Sequence, residues 1–216
     1  MKNIKEAMKL YAVTDSDCLV NQALAQAVEE ALKAGATFLQ LREKDMPHAD
    51  SLAEAKEIAA ITKRYNIPFV INDNIDIAIE CGADGVHVGQ SDIQGRNVRE
   101  IIGPNKILGI SAATVDTAIA AEKAGADYIG VGAVFQTSTK ADASEVSYKQ
   151  LKEICSAVSI PVVAIGGIGT GNILELADSG IDGVAVVSAI FAKEDVAAAT
   201  KEMLALANKM LGEKNE

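Results

Sequence analysis

AGADYIGV, residues 124–131, sets a glycine between an alanine-rich stretch and a short run of β-branched and aromatic residues. The arrangement recurs as AGATFLQL at 34–41, CGADGVHV at 81–88 and SGIDGVAV at 179–186. A glycine at such a junction can take the left-handed backbone that ends a helix, and the chain then turns at once into a strand. Gly35, Gly82, Gly125 and Gly180 are therefore read as helix ends. The strands that follow are apolar on nearly every residue, as parallel strands buried on both faces are.

Working outward from these four junctions, β-branched runs alternate with Ala/Glu/Lys-rich stretches of helical period along the whole chain. Strands are expected near 9–13, 37–42, 67–71, 84–88, 107–110, 127–131, 161–165 and 183–187. Helices are expected near 21–34, 49–65, 75–81, 95–102, 115–124, 147–157, 171–179 and 194–211. Eight strand–helix units fit a (β/α)8 TIM barrel, an α/β fold that takes roughly 200–250 residues. The chain has 216 residues, so 1–216 reads as a single domain. A doubly wound open sheet is the alternative. No Pro/Ser-rich linker marks a second domain.

The composition narrows the function. With 49% hydrophobic and 23% charged residues the chain is ordinary for a globular protein. A formal net charge of −10 repels phosphate backbones, and 4% aromatics without Trp leave few platforms for stacking bases. Nucleic acid is thus not an expected partner. No apolar run approaches the length of a membrane span, and Lys5, Glu6 and Lys9 interrupt any signal-peptide core. Cys18, Cys81 and Cys155 lack CxxC spacing, which fits idle thiols in a reducing cytoplasm. His48 and His87 have no second ligand at zinc spacing. His87, alternating with Val86 and Val88, reads as a hydrogen-bonded interior residue rather than a base. The sequence carries no mark of an oligomeric state.

In such a barrel the active site is built where the strands end. Strand 2 ends FLQLREKD, so a period of two puts Gln40, Arg42 and Lys44 on one face and Leu39, Leu41 and Glu43 on the other. An amide, a guanidinium and an ammonium on one face suggest an anion site, and burying Gln40 without a partner would be unfavourable. Strand 3 ends with Asn72 and Asp73, and strand 4 runs into Gln90 and Asp92. Helix capping accounts for one of the residues 73–74 but not for the cluster. Asp73 and Asp92 make a plausible oxygen pair for Mg²⁺, which takes one or two carboxylates plus phosphate and water. Ser111 follows strand 5. The connection after strand 6, near 132–146, is the longest and is expected to be flexible; Thr137, Ser138, Thr139 and Lys140 make it either a lid or a plain solvated loop. Gly166 and Gly167 after strand 7, with Val187 and Ser188 after strand 8, match the recurrent phosphate site of this fold.

Taken together, the chain resembles the thiamine-phosphate synthases from LYAVTD at 10–15 to VVSAIF at 186–191. The motifs are QLREK at 40–44, IND at 71–73, VGQSD at 88–92, TSTK at 137–140, IGGI at 165–168 and VS at 187–188. The resemblance implies coupling of a hydroxymethylpyrimidine diphosphate to a hydroxyethylthiazole phosphate, with release of pyrophosphate. By that likeness the run Gln40, Leu41, Arg42, Glu43 and Lys44 holds the pyrimidine diphosphate, helped by Asn72 and Lys140. Ser111 would contact the pyrimidine, and Asp73 and Asp92 would bind Mg²⁺. Thr137, Ser138, Thr139, Gly167, Val187 and Ser188 would hold the thiazole phosphate. Arg42, Lys44, Ser111 and Lys140 are the implied catalytic groups.

Two positions depart from the family. Gln136 stands where a proline is frequent, and Ala113 where a histidine is frequent. The missing histidine separates the chain from the thiazole tautomerase-like branch. A sugar-phosphate isomerase or epimerase would need a general base near the substrate, and none stands out. A non-catalytic regulator would have little use for rim charges, which contribute little to stability.

Overall fold

Each short apolar run does become a strand, and each is followed by a segment that crosses the outside of the sheet and returns parallel. The computed structural model describes residues 4–43, 46–89, 97–137 and 145–212. The strands are β1 (Leu10–Val13), β2 (Phe38–Leu41), β3 (Phe69–Asn72), β4 (Gly85–Val88), β5 (Ile107–Ala112), β6 (Tyr128–Val131), β7 (Val162–Ile165) and β8 (Gly183–Val186). They pair in sequence order, and β1 closes on β8 with Tyr11 opposite Ala185. That pairing excludes the open sheet. Among the described residues the α-helices are α1 (Ile4–Ala7), α2 (Leu24–Ala34), α3 (His48–Tyr65), α4 (Ile75–Glu80), α5 (Val98–Ile102), α6 (Val115–Lys123), α7 (Tyr148–Ala157), α8 (Ser188–Phe191) and α9 (Val196–Met210). Among the described residues no helix is long and apolar enough to cross a membrane.

The period of two sorts the strand residues into two apolar layers. Leu10, Leu39, Val86 and Ile110 point outward and join Val28 and Ala31 of α2 in the larger one. Tyr11, Phe38, Val70, Ile107, Tyr128 and Val163 point inward and fill the barrel. The Tyr11 and Phe38 ring centroids lie 4.5 Å apart, and Tyr128 stands 5.9 and 5.7 Å from them. Below this aromatic layer, Ile4 and Ala7 of α1 and the adjacent Met8 close the N-terminal end.

The four-fold sequence echo has a specific cause. Gly35, Gly82, Gly125 and Gly180 all have φ between 71° and 113°, as the helix-end reading expects. Two residues on, Thr37, Asp84, Asp127 and Asp182 each clip the start of the preceding odd-numbered strand. Their backbone N–H groups donate to the carbonyls of Leu10, Phe69, Leu108 and Val162 at 2.8–2.9 Å. The N–H groups of the same four residues donate back to the Thr37 hydroxyl and to the three carboxylates, again at 2.8–2.9 Å. Both polar groups of a strand's first turn are thereby satisfied, which buried backbone requires.

Three expectations need correction. The helix expected over 171–179 is a single 3₁₀ turn, Ile173–Leu176. Asn172 ties that segment into a tight loop, its side chain accepting from the Gly169 N–H and donating to the Gly167 carbonyl. Asp178 at φ 60° then turns the chain away. β3 and β5 also run further than the apolar residues suggest, so Asn72 and Ser111 are strand residues.

Candidate active site

The C-terminal ends of the strands surround a cavity of about 470 Å³. Its floor is polar over an apolar base. Gln40, with 5% of its surface exposed, donates from Nε2 to the Tyr11 hydroxyl. Tyr11 and Tyr128 share a hydrogen bond of 2.8 Å. The Tyr128 hydroxyl lies 3.0 Å from His87 Nδ1, and His87 Nε2 lies 3.0 Å from the Ser111 hydroxyl. Burial pushes both phenols well above the usual tyrosine range, so they stay protonated.

Arg42 brings positive charge to one wall. Its Nη1 lies 3.3 Å from a carboxylate oxygen of Asp15, and both side chains are less than one-fifth exposed. The buried Thr14 hydroxyl accepts from the Arg42 backbone N–H and donates to the Glu43 carboxylate at 2.7 Å. Glu43 also accepts from the Ser16 N–H. The segments after β1 and β2 are thus cross-tied by four contacts, which fixes where the guanidinium stands. Glu43 and Leu41 themselves do not face the cavity: Leu41 is buried in the outer apolar layer, as the alternation along the strand demands.

Asn72 lines the cavity and donates from Nδ2 to an Asp73 carboxylate oxygen at 2.6 Å. Asp73 has φ 60°, a backbone that Asp tolerates better than most residues, and its N–H donates to the His87 carbonyl at 2.8 Å. Its carboxylate is held at the rim in an exposed position. Among the described residues, no three His, Cys, Asp or Glu side chains come together as a metal site.

The opposite wall is mostly backbone. Gly166 and Gly167 have φ of 100° and 65°, and a Cβ on Gly167 would collide with the Gln136 carbonyl oxygen and with Phe135. The chain after β6 can therefore fold directly against the end of β7, with Phe135 N–H donating to the Gly166 carbonyl. Thr137 reaches the cavity from that chain. Val187 caps the N-terminus of α8, and both it and Ser188 line the cavity.

The thiamine monophosphate synthase family model matches residues 10–190 of this chain. The thiamine-phosphate synthase of Clostridium tetani is 49% identical over 199 residues, covering 92% of this chain and 95% of that protein. That of Ruminiclostridium cellulolyticum is 52% identical over 195 residues, covering 90% and 93%. Among solved structures, the thiamine phosphate pyrophosphorylase of Pyrococcus furiosus superposes with a TM-score of 0.89 at 38% identity, covering 97% of this chain and 100% of that one. The chain belongs to the thiamine monophosphate synthase family.

Of the residues that the family resemblance singles out, Gln40, Arg42, Asn72, Ser111, Thr137, Gly167, Val187 and Ser188 line one cavity. Lys44, Asp92, Ser138, Thr139 and Lys140 lie outside the described residues. Sequence reasoning passed over Tyr11, Thr14, Asp15 and Tyr128. The two tyrosines lie inside apolar runs, and only Gln40, a polar residue inside the neighbouring strand, hinted that the barrel interior is polar at that level.

Proposed function

We propose that the protein is a thiamine-phosphate synthase, a transferase. It would condense 4-amino-2-methyl-5-(diphosphomethyl)pyrimidine with 4-methyl-5-(2-phosphoethyl)thiazole to give thiamine phosphate and pyrophosphate. The observation that carries the reading is one cavity with two unlike walls, a guanidinium and amides on one side and open backbone with hydroxyls on the other. Two different phosphorylated molecules fit such a site better than one. A cytoplasmic setting goes with it.

In the proposed reaction the bond between the pyrimidine methylene carbon and the diphosphate oxygen breaks first. The electron pair leaves with pyrophosphate and a pyrimidine-methyl cation remains. The thiazole nitrogen then donates its lone pair to that carbon. Arg42, with Lys44 and Lys140, would neutralise the charge that builds on the leaving group; such electrostatic support is commonly the largest contribution to catalysis. Gln40, Asn72 and Ser111 would hold the pyrimidine in line. Thr137, Ser138, Thr139, Gly167, Val187 and Ser188 would seat the thiazole phosphate, partly through N–H groups at the start of α8 that have no acceptor within the helix. Holding both partners in line removes much of the entropic barrier to a bimolecular reaction.

Asp73 suits Mg²⁺, since it is an exposed hard-oxygen donor on a fixed backbone at the rim, and Asp92 would complete the pair. Bound there, Mg²⁺ would supply positive charge to the diphosphate oxygens. The direct test mixes both phosphorylated substrates with Mg²⁺ and measures pyrophosphate and thiamine phosphate. Equal release of both is expected. No release from folded protein with intact substrates refutes the reading. Asp92→Ala should lower turnover sharply without unfolding the protein, and full activity in that variant refutes the metal role.

A further inference from the structure

Two acidic side chains that do not line the cavity bracket the arginine that does. Each is held by two donors. Glu43 Oε1 accepts from the buried Thr14 hydroxyl at 2.7 Å, and its Oε2 accepts from the Ser16 N–H at 3.2 Å. Asp15 Oδ1 accepts from the Asp17 N–H at 3.2 Å, and its Oδ2 accepts from Arg42 Nη1 at 3.3 Å. Thr14 joins the two halves. Its N–H donates to the Gln40 carbonyl, and its oxygen accepts from the Arg42 N–H at 2.9 Å. Backbone N–H and guanidinium groups only donate, so the direction of these bonds to Arg42, Ser16 and Asp17 is set by their chemistry.

We infer that Thr14, Asp15 and Glu43 are positioning residues that aim Arg42 at the diphosphate of the pyrimidine substrate; the identity of that anion rests on the proposed function. Glu43, although it stands inside the run QLREK, acts through Thr14 and not on the ligand. Asp15 by its charge alone would weaken the pull of Arg42 on an anion. Its contribution is geometric. With one oxygen tied to the Asp17 N–H, the carboxylate offers the other to Nη1 from a fixed direction. A guanidinium carries five N–H donors, and among the described residues Asp15 takes one of them, leaving the others for an anion in the cavity. An arginine held in place beforehand loses little side-chain freedom when the ligand arrives. Preorganised donors of this kind are also what stabilises charge that develops in a transition state.

Thr14→Val keeps the outline of the side chain and removes the hydroxyl that links Arg42 to Glu43. It should lower kcat/KM for the pyrimidine diphosphate by about tenfold, the worth of one hydrogen bond, and leave KM for the thiazole phosphate unchanged. Thr14→Ser restores the hydroxyl and should return the value to within about twofold of the wild type. Should Thr14→Val not fold, Glu43→Ala breaks the same link at a less buried position. The deciding measurement repeats each change in an Arg42→Ala background. There the loss should shrink below about twofold, because the bracket acts through the guanidinium. An equal loss in both backgrounds means a purely structural role and overturns the inference. Calorimetric titration with inorganic pyrophosphate in the presence of Mg²⁺ supplies a second readout without turnover. Affinity should fall about tenfold in Thr14→Val and should not fall further when that change is added to Arg42→Ala. An affinity indifferent to Arg42→Ala leaves the bracket no anion to serve and equally overturns it. A protein that binds pyrophosphate in this Arg42-dependent way yet forms no thiamine phosphate counts against the synthase reading alone.

Discussion

The two ends of the barrel solve opposite problems. At the N-terminal end, Thr37, Asp84, Asp127 and Asp182 perform one task four times, with all eight distances between 2.8 and 2.9 Å. At the C-terminal end no such repetition occurs among the described residues: the strands finish with Gln40 and Arg42, with Asn72, with Ser111 and with bare glycines. Closing a barrel asks for the same hydrogen bonds at every second strand. Holding two dissimilar substrates asks for a different group at each. Substitutions at the two ends should therefore part cleanly into those that lower stability and those that lower turnover.

The largest effect is expected for Arg42→Ala, which should lower kcat/KM for the pyrimidine diphosphate by about 10²–10³-fold, as loss of one well-placed donor does. Its unfolding midpoint should move less than that of any change to the clips, and an equal or larger shift would break the division between the ends. Next comes Asp127→Ala. It leaves the Leu108 N–H unpaired and takes the carboxylate from Arg99, whose Nη2 lies 2.6 Å away. A loss of about 2–3 kcal/mol is expected in urea unfolding with kcat unchanged.

A smaller effect sharpens the boundary between the ends, where Tyr11 and Tyr128 lie. Burial raises both phenols above the ordinary value of 10.0. Above that pH the unfolded chain gives up phenolic protons that the folded chain keeps. The stability they contribute is full below pH 10.0 and is lost as pH rises further, by up to about 1.4 kcal/mol per pH unit for each phenol. Unfolding measured across that range should have a shallower slope in Tyr128→Phe, and an unchanged slope would mean that this phenol is not held neutral by the fold. The smallest effect belongs to neither end. Lys149→Ala removes an exposed pair with Glu153 at 3.8 Å and should change stability by less than ~0.5 kcal/mol and turnover not at all.

The barrel was legible because its signals are local. Helical and strand periods, and a glycine between them, show within a dozen residues. That Gln40 and Arg42 line the same cavity was legible for a related reason, since they sit on one side of a strand where a polar residue needs an explanation. What escaped depends on distance. Asp84, Asp127 and Asp182 look like loop residues, because the N–H groups they accept from lie 15–20 positions away in the chain. Tyr11 and Tyr128 are 117 positions apart and read as ordinary core until the closed sheet faces them. The contiguous motif QLREK misleads in another way. Its residues are neighbours in sequence, yet the pleat sends Leu41 to the outer layer and Glu43 to Thr14 and Ser16. The helix expected over 171–179 failed because Asn172 supplies loop hydrogen bonds that no periodicity reveals.

The plug formed by Ile4, Ala7 and Met8 beneath the rings of Tyr11, Phe38 and Tyr128 turns the barrel into a vessel with one mouth. Whatever reaches Gln40 and Ser111 enters past the rim and departs by the same way. The closed bottom, far from the rim, thereby leaves the cavity a single way in and out.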